Sequence, residues 1–138
     1  MSAPTPYILF PGTARDALTF YREVFGGELS LHTHAEFSRD EGTPEAIAHG
    51  ELRGIVDLQG ADASGVDGSL RVEGLMLSLL GAADSTTLRT WFARLSAGGE
   101  VVDDLQRRPW GASDGQVRDR FGLHWLIGYE HGESDAAS

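Results

Sequence analysis

The alternation of hydrophobic and polar positions divides the chain into short strands and two amphipathic helices. Residues 7–10 form an apolar run that Pro11 and Gly12 end, which predicts a strand entering a loop. Apolar residues then recur at three- and four-residue spacing up to Gly26 and Gly27, which predicts a helix with a glycine at its C-terminal end. Either Thr13 or Asp16 can cap the N-terminus of this helix.

Three more strands are predicted in the first half, followed by a linker and by the same order of elements in the second half. The strands of the first half are residues 28–36, 46–53 and 55–59, with a polar loop at 37–45. The elements of the second half are strands at 70–80, 100–106, 116–121 and 123–129 and a helix at 85–97.

A sequence repeat supports this division. Five residues at the C-terminal end of the first predicted helix recur 72 positions later. Phe20, Arg22, Gly26, Gly27 and Glu28 are matched by Phe92, Arg94, Gly98, Gly99 and Glu100. The closing strands also match, 54–60 with 122–128. A repeat of this length indicates duplicated supersecondary units. We therefore predict one α+β domain over 1–138 with two βαβββ units at about 5–60 and 69–129, a linker at 61–68 and a disordered tail at 130–138.

Composition and charge exclude several classes of function. The formal net charge of −10, with 11 scattered Lys and Arg residues, argues against nucleic-acid binding. The absence of cysteine rules out disulfides and leaves only His, Asp and Glu as strong metal ligands. No segment approaches the roughly 20 apolar residues of a membrane span, and the N-terminal residues do not resemble a signal peptide. The expectation is a cytoplasmic protein with no membrane partner.

Several short motifs carry a family resemblance. They are Tyr7-Ile-Leu-Phe-Pro-Gly12, Ala17-Leu-Thr-Phe-Tyr21, Val24-Phe-Gly-Gly27, Ala48-His-Gly-Glu-Leu52, Trp110-Gly-Ala112 and Asp119-Arg-Phe-Gly122 with Trp125. Together with the two βαβββ units, they resemble the vicinal oxygen chelate superfamily of glyoxalases, bleomycin resistance proteins and dioxygenases. The finer match is to its PhnB-like branch, whose members often carry 3-demethylubiquinone methyltransferase names. The resemblance implies curved, barrel-like mixed sheets, a ligand site in the concave interior and a homodimer.

The resemblance also implies a metal held by the first and last strands of each unit. The four corresponding positions are Pro6, Leu58, Leu75 and Leu126, none of which can bind a metal. Asp57 and His124 are the neighbouring alternatives, which is fewer than the three protein ligands of a catalytic site. We therefore expect no metal and no other cofactor.

A relocated metal site is the open alternative. His32 and His34 share one strand face, and His49 and Glu51 share another. Two strand registers would have to agree for these four side chains to meet. A water-exposed strand face explains the same alternation more simply.

The candidate site residues fall into two groups. His49 and Glu51 are predicted as a catalytic acid–base pair, because the resemblance implies that their strand faces the cavity; a structural histidine is the alternative. Ligand-binding roles are predicted for Phe10, Trp110, His124 and Trp125, although an aromatic residue taken singly is more often part of a core. Asp119 is predicted to be structural, with its carboxylate accepting backbone N–H groups of a turn.

Three functions remain open at this level. The first is a binding protein whose metal-free cavity holds a small molecule, since Leu58, Leu75 and Leu126 would replace ligands with apolar side chains. The second is an enzyme with lyase, isomerase or dioxygenase chemistry, using a relocated metal or the His49–Glu51 pair. The third is a structural or regulatory dimer whose cavity is filled by its own side chains. Convergence of His and carboxylate groups would favour the enzyme, and a dry pocket would favour the binding protein.

Overall fold

Each half of the chain folds as a strand, a helix and three further strands. The computed structural model describes residues 4–36, 44–63 and 68–131. Two compact units divide the chain, residues 1–71 and 72–138. The first unit contains β1 (Tyr7–Phe10), α1 (Ala14–Phe25), β2 (Glu28–Thr33), β3 (Ile47–Arg53) and β4 (Leu58–Asp62). The second contains β5 (Leu77–Leu80), α2 (Ser85–Ser96), β6 (Glu100–Arg107), β7 (Ala112–Arg118) and β8 (His124–Glu130).

Both units build the same mixed sheet. The strand orders are β1-β4-β3-β2 and β5-β8-β7-β6, and only the first and last strands of each unit pair in parallel. A parallel pair requires a long crossover, which the helix and the two intervening strands supply. Each sheet ends in edge strands and is open, not a closed barrel. The predicted α+β fold with two βαβββ units is confirmed.

Each helix covers one face of its own sheet. α1 buries one side, from Ala14 to Phe25, against β2, β3 and β4, and α2 buries Leu88, Trp91, Phe92 and Leu95 against its own sheet. The strands show the matching alternation, clearest in β7, where every second residue is buried. The other side of each sheet is here called the open face. No helix in the described ranges is both long enough and apolar enough to cross a membrane.

The two helices begin in different ways. Asp62, at the end of β4, accepts hydrogen bonds from the backbone N–H of Ala14 at 2.9 Å and of Ile47 at 2.8 Å. Thr13 occupies the N-cap position of α1 without a side-chain hydrogen bond, and Asp16, the predicted alternative, lies in the first helical turn; the N-terminus of α1 is bonded by Asp62 instead. In α2 the cap is local, because Asp84 accepts from the N–H of Thr87 at 2.7 Å, and this bond lowers the pKa of Asp84.

Several predicted boundaries move. β4 runs to Asp62 and not 55–59, β5 begins at Leu77 and not at 70, and β7 begins at Ala112 and not at 116. β8 includes Glu130, and the N–H of the next residue, His131, bonds Gly111 at 2.9 Å, so the predicted tail begins too early. Residues 64–67 of the linker and 132–138 of the tail lie outside the described residues. The single domain over 1–138 stays a prediction.

Asp119 organises the core of the second unit. It is buried and accepts from the backbone N–H of Phe121 at 2.8 Å and of Leu123 at 3.2 Å. Its second oxygen accepts from the indole Nε1 of Trp125 at 2.8 Å. The predicted structural role of Asp119 is confirmed, and the bond to Trp125 is an addition that local spacing did not reveal.

Candidate functional site

The open face of the first unit carries a polar row across all four strands. Strand register places Tyr7 beside Gln59, Gln59 beside Glu51, and Glu51 beside Ser30. His49, two residues before Glu51 on β3, shares this face. The open face thus gathers hydroxyl, amide, imidazole and carboxylate groups.

Tyr7, His49 and Glu51 form a connected chain within this row. The hydroxyl of Tyr7 lies 3.1 Å from His49 Nδ1, and the two rings stack with centroids 5.6 Å apart. His49 Nε2 lies 3.7 Å from Glu51 Oε2, and Glu51 also pairs with Arg53. The hydrogen bond from Arg53 holds the pKa of Glu51 below its ordinary value. An ionised Glu51 favours the His49 tautomer with its proton on Nε2, so that the Tyr7 hydroxyl donates to Nδ1.

The other two predicted histidines make their hydrogen bonds outside the chain of Tyr7, His49 and Glu51. His32 is opposite His49 in register, but its Nδ1 contacts Glu36 at 3.0 Å. A register irregularity follows His32, and His34 is buried in the turn beyond β2, where its backbone N–H bonds Ala46. Residues 4–36, 44–63 and 68–131 contain no group of three or more His, Asp or Glu that could hold a metal ion. The relocated site of His32, His34, His49 and Glu51 is therefore not formed.

The structure corrects which residues occupy the metal positions that the superfamily implies. Leu58 is 1 % exposed and paired with Leu52 on the helix side of the sheet, whereas its neighbour Gln59 lies opposite Tyr7 on the open face. A one-residue offset reverses the face of a strand residue.

In the second unit, Leu126 does lie on the open face, opposite Ser78 of β5. The residues that face each other at the first and last strands are thus Tyr7 with Gln59 and Ser78 with Leu126. These residues supply neither imidazole nor carboxylate, so they do not fit the metal that the superfamily implies.

A groove of about 410 Å³ opens at one end of the second unit's sheet. Its rim carries the Trp110 side chain, which is 70 % exposed, and Leu80, which is 54 % exposed. Gly128 is the register partner of both Leu80 and Asp114, and a side chain at this position would clash with the Ser113 carbonyl and with Asp114. The groove is lined by Leu80, Gly81, Trp110, Ala112, Ser113, Asp114, Tyr129 and Glu130.

Hydrogen bonds fix the walls of this groove. Arg108 donates to Asp114 at 2.8 Å and to Asp103 at 2.7 Å, so the charge of Asp114 is compensated and the pKa of Arg108 is raised by the same bonds. Ser113 Oγ lies 2.7 Å from His131 Nε2, and the His131 ring stacks on Tyr129 with centroids 5.4 Å apart. The groove therefore has ordered walls with few uncompensated charges.

His124 and Arg118 lie at the opposite end of the same open face. They are register partners on β8 and β7, and His124 Nε2 lies 3.0 Å from Gln116 Oε1. Burial lowers the pKa of His124, and the positive charge of Arg118 lowers it further. Both effects favour the neutral form of the His124 imidazole.

The structure separates the six predicted site residues. His49 and Glu51 are in contact, Trp110 lines the groove, and His124 lies on the open face. Phe10 is 0 % exposed and Trp125 is 1 % exposed, so both are core residues that no ligand on the open face can reach. Strand alternation explains this correction, because Phe10 shares the helix side with Ile8, and Trp125 shares it with Ile127.

Sequence reasoning missed Tyr7, Arg118, Leu80 and Tyr129 as site residues. The alternation of β1 would have placed Tyr7 opposite the buried side chains of Ile8 and Phe10. The other three depend on strand pairing, which the sequence does not show.

Comparison with known proteins gives the family. Residues 5–127 match the model of the Glyoxalase/Bleomycin resistance protein/Dioxygenase superfamily. The chain belongs to this superfamily. It is 29 % identical over 137 residues to Protein YjdN of Escherichia coli (strain K12), covering 89 % of this chain and 92 % of YjdN.

Solved structures agree with this assignment. Protein PA1353 from Pseudomonas aeruginosa superposes with a TM-score of 0.79 at 27 % identity, covering 96 % of this chain and 100 % of PA1353. A putative 3-demethylubiquinone-9 3-methyltransferase, PhnB protein, from Bacillus cereus gives a TM-score of 0.70 at 20 % identity, covering 93 % of this chain and 99 % of that one. The predicted superfamily is confirmed by the family model, and the solved structures show that the fold is shared.

Proposed function

We propose that this superfamily member binds a small apolar or aromatic molecule in the groove at one end of its second unit's sheet, without the metal that the superfamily implies. The observation that carries the proposal is Trp110, a large apolar side chain that is 70 % exposed at the rim of a groove. An indole in this position can stack on a planar ligand, and doing so removes its own apolar surface from water.

The dimensions and chemistry of the groove support a ligand of modest size. Its volume of about 410 Å³ falls in the range of roughly 300–1,000 Å³ that small-molecule sites occupy. The polar groups along it are few, and Asp114 is already paired with Arg108. The groove therefore offers apolar contact with a small number of orienting hydrogen bonds.

An uncharged fluorescent probe, N-phenyl-1-naphthylamine, tests this proposal. We expect Trp110→Ala to weaken probe binding about tenfold or more, while Trp110→Phe keeps the affinity within about threefold because an aromatic face remains. Both variants should unfold at the wild-type denaturant concentration, since the side chain is mostly exposed. Equal probe affinity in wild type and Trp110→Ala would contradict the proposal.

A second candidate function rests on the chain of Tyr7, His49 and Glu51. Glu51 orients the imidazole, and Nδ1 of His49, once Tyr7 releases it, can take a proton from a carbon next to a carbonyl group. Tyr7 is then placed to hand a proton to the carbonyl oxygen. The result is metal-free isomerase or lyase chemistry.

Deuterium exchange separates this candidate from pure binding. Small 2-oxo acids and α-hydroxy ketones in D₂O, followed by proton NMR, should lose the signal of the carbon-bound hydrogen only with active protein. His49→Gln should abolish exchange and Tyr7→Phe should slow it, with exposed Arg15→Gln as the matched control. An exchange rate in buffer alone that equals the rate with the protein would exclude an enzymatic function on these substrates.

A homodimer in the cytoplasm completes the proposal. Two-fold association is the commonest assembly of such chains, and exposed apolar side chains such as Leu75 and Val102 offer surface for it. Light scattering during size-exclusion chromatography should give twice the chain mass of 14.9 kDa, and the monomer mass at all concentrations would contradict it.

A further inference from the structure

Arg118 is a half-buried cation without a carboxylate partner in the described ranges. Its Nη1 donates to the backbone carbonyls of Val72 at 3.2 Å and Gly122 at 3.4 Å. No carboxylate of residues 4–36, 44–63 or 68–131 lies within the 4.0 Å of an ion pair, even though Glu100 is its register partner on β6. Asp119, the next residue, points to the other face and is engaged by backbone N–H groups and Trp125. Partial burial of an uncompensated cation costs free energy, which a bound anion would recover.

The Nε and Nη2 edge of the Arg118 guanidinium is available to a ligand. Within the described residues, only Nη1 of Arg118 takes part in hydrogen bonds, which leaves Nε and Nη2 as parallel donors. This edge matches the two oxygens of a carboxylate in bidentate geometry. A carboxylate is therefore the anion that the site fits best.

His124 supplies the second polar group of this site. It is directly opposite Arg118, so the two side chains lie about 5 Å apart at Cβ on the same face. Its Nε2 is committed to the amide oxygen of Gln116, and this assigns the proton to Nε2 and leaves Nδ1 as an acceptor. A neutral imidazole next to a cation can gain a proton when an anion arrives.

One apolar side chain, Leu126, lies between this end of the face and the groove. Leu126 occupies the row between His124 and Gly128, opposite Gln116. Arg118 and Asp114 are four residues apart on β7, which corresponds to about 13 Å along a strand. An elongated molecule can therefore reach from Arg118 past Leu126 to the rim at Trp110.

We propose that Arg118 and His124 form the anion-binding end of the ligand site, and that the natural ligand is a small organic acid with an apolar or aromatic body. The carboxylate binds the free edge of Arg118, the body lies on Leu126, and the far end contacts Trp110. This inference rests on the proposed binding function and adds the chemical class of the ligand.

Binding of an acid should be coupled to proton uptake. The charged groups around His124 are Arg118 on β7 and, beyond it, Glu100 on β6, while β5 contributes none and Asp119 lies on the other face. A bound carboxylate compensates Arg118 and so removes one cause that disfavours the protonated imidazole. The affinity for an acid should therefore rise as the pH falls from 8 to 6, and that for a neutral analogue should not.

Calorimetry with phenylhexanoate and its uncharged amide tests the inference. Wild type at pH 6.5 should bind the acid at least tenfold more tightly than the amide. Arg118→Gln should remove this preference by weakening acid binding at least tenfold more than amide binding, and Arg118→Lys should keep part of it because the charge remains but the bidentate edge is lost. Arg120→Gln is the matched control, since this arginine contacts the carbonyl of Ala97.

The outcomes separate the two proposals. Equal affinity for acid and amide, each reduced by Trp110→Ala, would overturn the anion site and leave the groove intact. Failure of both compounds to bind, with the uncharged naphthylamine probe also failing, would overturn the binding function itself. His124→Gln should leave the acid preference but abolish the pH dependence of acid binding, and an unchanged pH dependence would overturn the role of His124.

Discussion

The two units have the same order of elements and the same strand pairing, but their open faces differ in chemistry. In the first unit the parallel pair of strands presents Tyr7 and Gln59, followed by Glu51 on the neighbouring strand. In the second unit the corresponding pair presents Ser78 and Leu126, followed by Gln116. Folding requires each helix side to be apolar and leaves the open face unconstrained. The duplicated scaffold can therefore carry a polar hydrogen-bonded chain in one unit and an apolar groove in the other.

The units also differ in how their closing strand supports the core. In the first, Leu58 packs on the helix side opposite Leu52. In the second, Trp125 packs on the helix side opposite Val117, and its indole donates to the buried carboxylate of Asp119. One core is held by packing alone at this position, and the other combines packing with a hydrogen bond.

The largest expected loss of stability tests the difference between Trp125 and Leu58. Trp125→Ala should lower the free energy of unfolding by about 4 kcal/mol through lost packing, and further because Asp119 loses a donor. Leu58→Ala in the other unit should cost about 3 kcal/mol through packing alone. Urea denaturation followed by circular dichroism measures both. Trp125→Phe isolates the hydrogen bond, and a wild-type stability for that variant would show that the bond to Asp119 contributes nothing.

An intermediate effect distinguishes the distant helix cap from the local one. Asp62→Ala should lower the free energy of unfolding by about 2 kcal/mol, because the N–H groups of Ala14 and Ile47 both lose their hydrogen-bond acceptor. Asp84→Ala removes one exposed local cap bond to Thr87 and should lower the melting temperature by only a few degrees. Differential scanning calorimetry compares the two, with Asp16→Ala as the control for lost charge near α1. A larger shift for Asp84→Ala would reverse the comparison.

The smallest effect concerns His124 and the pH. Burial and Arg118 lower its pKa in the folded state, so the folded protein binds fewer protons at this site than the unfolded chain. The contribution of His124 to the free energy of unfolding is fully present above its pKa in the unfolded chain, about 6.5. It is lost as the pH falls through the pKa of the folded protein. The difference in unfolding free energy between wild type and His124→Gln, measured from pH 8 to 5, should therefore shift against wild type at low pH. A constant difference would contradict it.

Sequence reasoning succeeded where a residue's role depends on its near neighbours. The helix end at Gly26, whose N–H bonds Arg22 at 2.7 Å, and the turn built on Asp119 were both predicted. It failed where one residue of register decides the outcome. Matching 54–60 with 122–128 equates Leu58 with Leu126, yet the structure puts Leu58 on the buried face and Leu126 on the open face.

The same limit explains the site residues. Phe10 and Trp125 occupy motifs that resemble the superfamily, but strand alternation directs both side chains into the cores of their units. Trp110 has no such constraint, because it lies in a turn beyond β6 and remains exposed. Its position beside a groove depends on the pairing of Leu80 with Gly128, residues that are 48 positions apart in the chain.

The sequence by itself determined the duplicated βαβββ order and the superfamily, because periodicity, glycine placement and residue type are local properties. Only the tertiary structure decided which side chains share an open face, that Asp62 caps a helix 48 residues before it, and that Tyr7 meets His49. These contacts arise from strand register, and register is set by the packing of each whole sheet against its helix.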